Sequence, residues 1–148
     1  MVGSVSDLNR VLLIRLRSIG DTVLMTPCLT ALKRWKPELE VDVLIESLSS
    51  PVLKAHPEIS HLHIIPKSTT KLETVKNRLK MVLRLRSRRY DAVFNLHGGT
   101  TATFIARLTG APIRVGYQSS QYSTLLSVRA PSPDQIWQKE QIHAVEQQ

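Results

Sequence analysis

The stretch LIRLRSIGDTVLMTPCLTALKRW, from Leu13 to Trp35, decides the fold because it joins an apolar strand, a turn and a helix. The run from Val11 to Leu16 is apolar except for Arg15, which is typical of a strand covered on both faces of a parallel sheet. Apolar residues then recur at helical spacing from Val23 onward. The stretch therefore predicts a strand and a crossover helix, with the carboxylate of Asp21 at the turn between them.

The same alternation of strand and helix patterns continues along the chain. Four further apolar runs predict strands: Val41–Ile45, His61–Ile65, Tyr90–Leu96 and Ile113–Tyr117. Strands that alternate with helices predict an α/β fold, here a Rossmann-like, mainly parallel sheet with helices on both faces. The 148 residues suffice for one ordinary domain. We expect this domain within residues 1–130, followed by a tail or the start of an interdomain linker at 131–148.

The composition limits the class of protein. Hydrophobic residues make up 42% of the chain, and no apolar run approaches the roughly 20 residues that span a bilayer. The segment from Met1 to Asn9 lacks the basic end and apolar middle of a signal peptide. Cys28 is the single cysteine, which excludes an intrachain disulfide and a cysteine-rich zinc site. We therefore expect a cytoplasmic protein in which Cys28 is a buried, unreactive thiol.

The net charge of +8 predicts attraction to polyanions, namely nucleic acid, anionic lipid head groups or phosphorylated substrates. The excess is concentrated between Lys67 and Arg89. In this segment we expect an apolar stripe to dock a helix on the sheet, with the basic side chains on the outer side; the stripe is Leu72, Val75, Leu79, Val82 and Leu83. Phosphate or anionic lipid is favoured over nucleic acid because few aromatic residues are present to stack on bases.

Ligands of parallel sheets bind outside the carboxyl ends of the strands, at the point where the strand order reverses. Three predicted loops converge on that edge: Arg17–Thr22, Glu46–Ser50 and Asn95–Thr101. The spacing of the first loop matches neither the dinucleotide-binding fingerprint nor the P-loop. The sequence therefore predicts a site at this edge that is not a phosphate cradle of those two types.

Asp21 admits two interpretations. It is either the N-cap of the first helix or an acid presented to a ligand, with Gly20 allowing a tight turn and a close approach. Pro27 adds a choice about the helix itself, because a proline is accepted in the first turn and kinks a helix interior. Either Thr26 caps a helix that begins at Pro27, or the helix begins at Asp21 and is kinked.

The loop NLHGGTT, residues 95–101, also admits two interpretations. Its glycines and hydroxyls can aim backbone N–H groups at an anion or a sugar, or they form a simple turn with a threonine N-cap. His97 is either a general base or a polar surface residue. The other histidines, His56, His61, His63 and His143, have no spacing typical of a metal site, and we expect no metal and no cofactor.

Two blocks of the sequence resemble one known family. VLLIRLRSIGDTVLMTPCLTALKRWKPELEVDVLIE, residues 11–46, closely resembles the amino-terminal segment of the family 9 glycosyltransferases, the lipopolysaccharide heptosyltransferases. YDAVFNLHGGTTATFIARLTGAPIRVGY, residues 90–117, is similar to the next recognisable block of that family. The likeness covers about residues 10–118, with both blocks in the expected order.

The resemblance implies an inverting enzyme of the GT-B fold that moves heptose from ADP-heptose to the inner core of lipopolysaccharide. It implies a cytoplasmic protein, peripheral at the inner membrane, whose amino-terminal domain takes the acceptor. Asp21 falls on the family's proposed catalytic base. The loops around it supply the expected substrate-binding residues: Ser18, Gly20, Thr22, His97, Gly98, Gly99 and Thr100. Basic residues of the acceptor domain bind the acceptor's phosphate, for which the candidates are Lys67, Lys71, Arg84 and Arg88.

Two departures from the family limit this interpretation. The domain that binds the ADP-sugar donor has no counterpart here, so we expect an acceptor-side domain that is inactive by itself. Asn95 stands where relatives often have an aspartate. The residues alone leave a second function open, a non-catalytic domain that binds anionic lipid or sugar, and a nucleic-acid-binding domain is the weakest alternative.

Overall fold

Six strands pair in parallel into one sheet in a computed structural model that describes residues 4–132 and 135–136. The strands are β1 (Arg10–Ile14), β2 (Glu40–Glu46), β3 (His61–Ile65), β4 (Ala92–Asn95), β5 (Ile113–Tyr117) and β6 (Val128–Ala130). Their order is β3-β2-β1-β4-β5-β6. This order confirms the predicted Rossmann-like fold, and it reverses between β1 and β4, which places a ligand crevice at the carboxyl ends of those two strands.

Both faces of β1 are buried, as its apolar run predicts. Val11 and Leu13 point to one face of the sheet and belong to a hydrophobic cluster that includes residues of the second helix. Leu12 and Ile14 point to the opposite face and belong to a second hydrophobic cluster. The helices that cover the sheet are α1 (Ile19–Leu24), α2 (Thr26–Trp35), α3 (Ser50–Leu53), α4 (Lys71–Ser87) and α5 (Thr100–Leu108). Among the described residues, none of these helices has both the length and the apolar character needed to cross a membrane.

The first helical segment consists of two helices. This result combines the two alternatives of the sequence analysis, a helix that begins near Asp21 and a helix that begins near Pro27. α1 ends at Leu24 and α2 begins at Thr26, with Pro27 in the first turn of α2. A proline is accepted there because the first-turn N–H groups have no partner inside the helix. Cys28, in α2, is only half-buried, and this burial raises the pKa of its thiol.

The predicted docking of α4 is wrong. Met81, Val82 and Leu85 hold the carboxyl-terminal half of α4 against the sheet. Four of the five residues of the predicted stripe face solvent instead, at exposures between 59 and 80%: Leu72, Val75, Leu79 and Leu83. Helical spacing explains the difference, because the buried residues lie on one side of the helix and the four exposed residues on another.

The sixth strand was not predicted. β6 has three residues, two of them exposed, and it pairs with β5 at the edge of the sheet. Such a strand lacks the apolar run by which a buried strand is recognised. The predicted tail, residues 131–148, lies almost wholly outside the described residues.

Candidate active site

Two neighbouring grooves open at the carboxyl edge of the sheet. One, of about 330 Å³, runs between the ends of β2 and β3 and the first turns of α4. The other, of about 180 Å³, lies between the ends of β1 and β4 and the start of α5. Glu46 and Arg78 line both grooves, so the two are continuous and together form the candidate site.

Asp21 is held by Arg15 at the end of β1. Arg15 Nη2 lies 2.9 Å from Asp21 Oδ2, and the two side chains are 13% and 32% exposed. Arg15 Nη1 donates to the carbonyl of Leu96, just after β4. Arg15 Nε is buried and has no partner among the described residues. The guanidinium thus links the ends of β1 and β4 and orients the carboxylate at the point where the strand order reverses.

The cap of α1 is Ser18 rather than Asp21. The N–H of Asp21 donates to Ser18 Oγ at 3.4 Å, and Ser18 has the positive φ of 71° that the turn requires. Gly20 has no such φ, and a Cβ placed on it would lie 3.8 Å from Ser18 Oγ. The Ser18 hydroxyl, not the carboxylate of Asp21, therefore caps the helix, and a Cβ at Gly20 would make an ordinary van der Waals contact.

Asn95 organises the second loop from inside. This buried side chain accepts hydrogen bonds from the N–H groups of His97 and Gly98 at 3.2 and 3.0 Å, and it donates to Thr103 Oγ1 at 3.0 Å. Gly98 has a φ of 72°. Of the two interpretations of this loop, the structure favours a turn at His97 and Gly98, because their N–H groups already donate to Asn95.

His97, half-buried, lines the smaller groove beside Arg17. Burial lowers the pKa of His97 below its ordinary value, and the Arg15 and Arg17 guanidinium groups lower it further. The imidazole is therefore uncharged near neutral pH, where its free nitrogen can accept a hydrogen bond or a proton.

The remaining predicted residues of the two loops have different surroundings. Gly99 and Thr100 line the smaller groove with His97. Gly99, rather than a threonine, occupies the N-cap position of α5, and Thr100 Oγ1 donates to Gln121 at 2.7 Å. Thr22 is completely buried, and its hydroxyl donates to the carbonyl of Ser18 at 2.8 Å. Thr22 thus holds the turn at the start of α1, and a role in binding substrate stays a prediction.

The four candidates for phosphate binding do not form one site. Lys67 lines the larger groove, whereas the exposed Lys71 lines neither groove. Arg84 lines a separate groove beside Ile64 at the outer edge of the sheet. Arg88 lies near the amino ends of the strands, where its Nε donates to Asp42 at 3.1 Å and its Nη2 to Glu40 at 2.9 Å. Arg84 and Arg88 therefore lie outside the two grooves of the candidate site, and their role in binding phosphate stays a prediction.

Arg78 belongs to the basic segment that the sequence analysis identified but was not among its four phosphate-binding candidates, and it is the basic residue shared by both grooves. Arg78 lies four residues before Val82 and therefore on the same side of α4. In the carboxyl-terminal half of α4 this side packs against the sheet. In this first half of α4 the same side carries Thr74 and Arg78 and faces the larger groove. The sequence signal for such a residue is an arginine at helical spacing from apolar residues that are buried in the next turns of the same helix.

A second cluster of ionisable groups lies at the opposite edge of the sheet. Asp42, completely buried, accepts hydrogen bonds from Tyr90 Oη at 2.7 Å and from Arg88, and His63 Nε2 lies 3.2 Å away. Burial opposes ionisation of Asp42, but the bonds from His63, Tyr90 and Arg88 outweigh it and lower its pKa from 3.8 to about 2. Burial and the nearby Asp42 raise the pKa of Tyr90. This cluster joins β2, β3 and α4 and is structural.

Within residues 4–132 and 135–136, no three histidine, cysteine or acidic side chains converge as a metal site would require. The ionisable groups at this edge of the sheet are the neutral imidazole of His97 and the guanidinium of Arg78, which line the grooves, and the carboxylate of Asp21, which lines neither groove and is held by Arg15. They suit proton abstraction from a hydroxyl and the binding of an anion.

Comparisons with known proteins identify relatives. No protein-family model matches the chain. It is 31% identical over 101 residues to lipopolysaccharide heptosyltransferase 3 of Escherichia coli, which covers 68% of this chain and 30% of the relative. It is 26% identical over 99 residues to lipopolysaccharide heptosyltransferase 1 of Campylobacter coli, covering 67% and 28%. The aligned region thus spans less than a third of the length of these relatives.

Solved structures share the fold. A family 9 glycosyl transferase from Veillonella parvula superposes with a TM-score of 0.79 at 20% identity, covering 94% of this chain and 38% of that one. An E. coli heptosyltransferase solved with ADP superposes with a TM-score of 0.71 at 22% identity, covering 93% and 44%. The same score, at 93% and 45%, is found for an E. coli heptosyltransferase solved with ADP-2-deoxy-2-fluoro heptose.

Proposed function

Because this chain belongs to the heptosyltransferase-like glycosyltransferases of family 9, we propose that it is the acceptor-binding region of an inverting transferase. The proposed reaction moves heptose from ADP-heptose to the inner core of lipopolysaccharide. The observation that carries the proposal is Asp21, a carboxylate that caps no helix and is held by Arg15 at the point where the strand order reverses.

In the proposed reaction Asp21 is the general base. Its carboxylate takes the proton of an acceptor hydroxyl while that oxygen attacks the anomeric carbon of the donor sugar. The bond from this carbon to the diphosphate oxygen breaks, the nucleoside diphosphate leaves with the electron pair, and the configuration inverts. The ion pair engages Asp21 Oδ2, and Oδ1 accepts no hydrogen bond from the described residues, so Oδ1 is the oxygen proposed to accept the proton.

Arg15 is a positioning residue in this scheme. Its guanidinium bridges Asp21 and the carbonyl of Leu96, which belong to different loops of the site. The reaction rate depends strongly on the position of the base, because a small displacement of the base from the reacting hydroxyl lowers the rate. By holding Asp21 in place, Arg15 would raise the rate.

The acceptor is proposed to be an anionic lipopolysaccharide precursor. Arg78 and Lys67 line the larger groove, and Arg17 and Arg78 line the smaller one. A guanidinium that projects into both grooves can form paired hydrogen bonds with a phosphate or carboxylate while the acceptor hydroxyl faces Asp21.

An ADP-sugar donor is supported by the E. coli heptosyltransferase structures, one with ADP and one with ADP-2-deoxy-2-fluoro heptose. We propose that the donor binds to a domain other than the one described. We further propose a cytoplasmic location at the inner membrane, which suits a chain with a net charge of +8 because anionic lipids attract basic proteins.

A binding experiment tests the division of roles between acceptor and donor. Titration calorimetry of the chain should show binding of a lipopolysaccharide inner-core precursor and little or no binding of ADP. The variant Arg78→Met should weaken precursor binding about tenfold or more, whereas Arg34→Met, at an exposed arginine on α2, should leave it unchanged. Binding of ADP in preference to the precursor would assign this region to the donor instead.

A transfer assay tests the base. In a polypeptide that joins this region to a donor-binding domain, Asp21→Asn should lower the turnover of ADP-heptose by a factor of roughly 100 or more. Acceptor affinity should change little, because the carboxamide keeps the shape of the side chain. Turnover near that of the unchanged protein would exclude Asp21 as the base and favour the non-catalytic binding function.

A further inference from the structure

An exposed apolar surface runs across α4 and α5, and the proposed reaction does not use it. Its members, called here the α4–α5 patch, are Leu72, Val75, Leu79, Leu83, Phe104 and Leu108. Their exposures range from 44 to 80%, although leucine and phenylalanine side chains of this size usually lie inside a domain. A contiguous apolar surface of this kind on a protein marks an interaction site.

The two helices present one continuous patch. Val75 and Leu79 of α4 face Phe104 and Leu108 of α5 across a groove of about 320 Å³. The Phe104 ring lies 5.3 Å from the ring of Tyr122, which is also exposed. An aromatic pair with one polar hydroxyl is typical of a surface that contacts apolar material at one end and water at the other.

The rim of the patch is basic. Exposed cations surround the apolar side chains on both helices, namely Lys71, Lys76, Lys80, Arg86 and Arg107. Glu73 is the one acidic residue of α4, and its carboxylate accepts hydrogen bonds from the N–H and hydroxyl of Thr69 at the start of the helix. α5 contains no acidic residue. The occupant of the patch must therefore be both apolar and negatively charged.

We propose that the α4–α5 patch docks on an anionic lipid bilayer. With α4, about 25 Å long, lying along the surface, Leu72, Leu79 and Leu83 insert between the lipids. The lysine stems extend along the apolar layer, and their ammonium groups reach the phosphates of the head groups. A second copy of this chain fits less well, because two-fold pairing through the same surface would oppose the two basic rims.

This surface adjoins the candidate active site. Arg78, Thr100 and Thr101 line both the groove of the patch and the smaller groove of the site. An acceptor anchored in the bilayer would therefore reach Arg78 without leaving the membrane surface. The delivery of the acceptor and the location at an inner membrane rest on the proposed function, whereas the choice of the α4–α5 patch as the docking surface rests on its exposure and charge.

Flotation of the chain with lipid vesicles tests the docking. We expect binding to vesicles of phosphatidylcholine and phosphatidylglycerol in equal parts, and much weaker binding to phosphatidylcholine alone. The double variant Leu79→Asn, Leu83→Asn should bind the anionic vesicles at least about tenfold more weakly. Lys76→Glu with Lys80→Glu should weaken binding by a similar factor. Melting temperatures should hardly change, because all four side chains are exposed.

The matched control is the double variant Val5→Asn, Lys54→Glu, which removes one exposed apolar and one exposed basic residue outside the patch. Its binding should equal that of the unchanged chain. Three results would overturn the proposal: no binding to anionic vesicles, binding that the leucine variant leaves intact, or leucine-dependent dimers in light scattering with no lipid binding. A transfer assay that fails while vesicle binding succeeds refutes only the proposed reaction.

Discussion

The buried carboxylate of Asp42 yields the sharpest prediction about stability. Folding lowers the pKa of Asp42 from 3.8 to about 2, so the folded state favours the ionised form. The stabilisation is complete above the unfolded pKa, near 4, and is lost as the pH falls toward 2. The perturbation we choose is Asp42→Asn, which keeps the shape of the side chain and one oxygen acceptor but removes the charge.

The magnitude follows from the shift. A difference of nearly two pKa units corresponds to about 2 kcal/mol of unfolding free energy near neutral pH. The variant also leaves Arg88 without a buried partner, although Arg88 retains its bond to Glu40 at 2.9 Å. We therefore expect Asp42→Asn to destabilise the chain by about 2 to 3 kcal/mol at neutral pH and by far less near pH 2.

Urea unfolding followed by circular dichroism, repeated from neutral pH down to about pH 2, measures this difference. The control is Asp7→Asn, at an exposed aspartate outside the cluster, which should change the unfolding free energy by less than about 0.5 kcal/mol. Equal unfolding free energies of Asp42→Asn and the unchanged chain at neutral pH would contradict the stabilising role of the carboxylate. A gap between the two chains that persists undiminished at the lowest pH would refute it as well.

Two further predictions concern the candidate site. Arg15→Met, in the polypeptide used for the transfer assay, should lower kcat about a hundredfold with little change in the KM for the acceptor, and Arg15→Lys should recover part of the loss; an effect on KM alone would contradict the positioning role. Gly98→Ala should lower the unfolding free energy by about 1 kcal/mol or more, because Gly98 has a positive φ and a Cβ would lie 3.3 Å from Ser120 Oγ. Gly20→Ala should leave the unfolding free energy equal or slightly higher, and urea titration measures both variants.

Five of the six strands were predictable because each contains apolar residues in a short run, although β3 and β5 are only partly buried. β3 and β5 have the predicted bounds, and β1, β2 and β4 lie within two residues of theirs. β6 escaped prediction because it is three residues long and mostly exposed. The limit is thus physical: a strand that buries little leaves little pattern.

α4 shows a second limit of the sequence pattern. The helix carries two apolar sides, one with Met81, Val82 and Leu85, and one with the leucines of the α4–α5 patch. Helical periodicity identifies both sides equally well and does not reveal which one meets the sheet. The strand order and the position of α4 over the sheet decide this, and both depend on residues far apart in sequence.

The candidate site adds a third limit, which concerns Asp21. Its position at the first turn allowed both a cap and a catalytic acid, since a carboxylate is favoured there in either case. Ser18 supplies the cap, and Arg15 binds the carboxylate of Asp21. Arg15 also reaches the carbonyl of Leu96, 81 residues away, and no local pattern predicts this bond. Asp21 is therefore not the N-cap of α1; as an acid in the first turn it suits the helix dipole, and its ion pair with Arg15 is a contact that the folded chain adds.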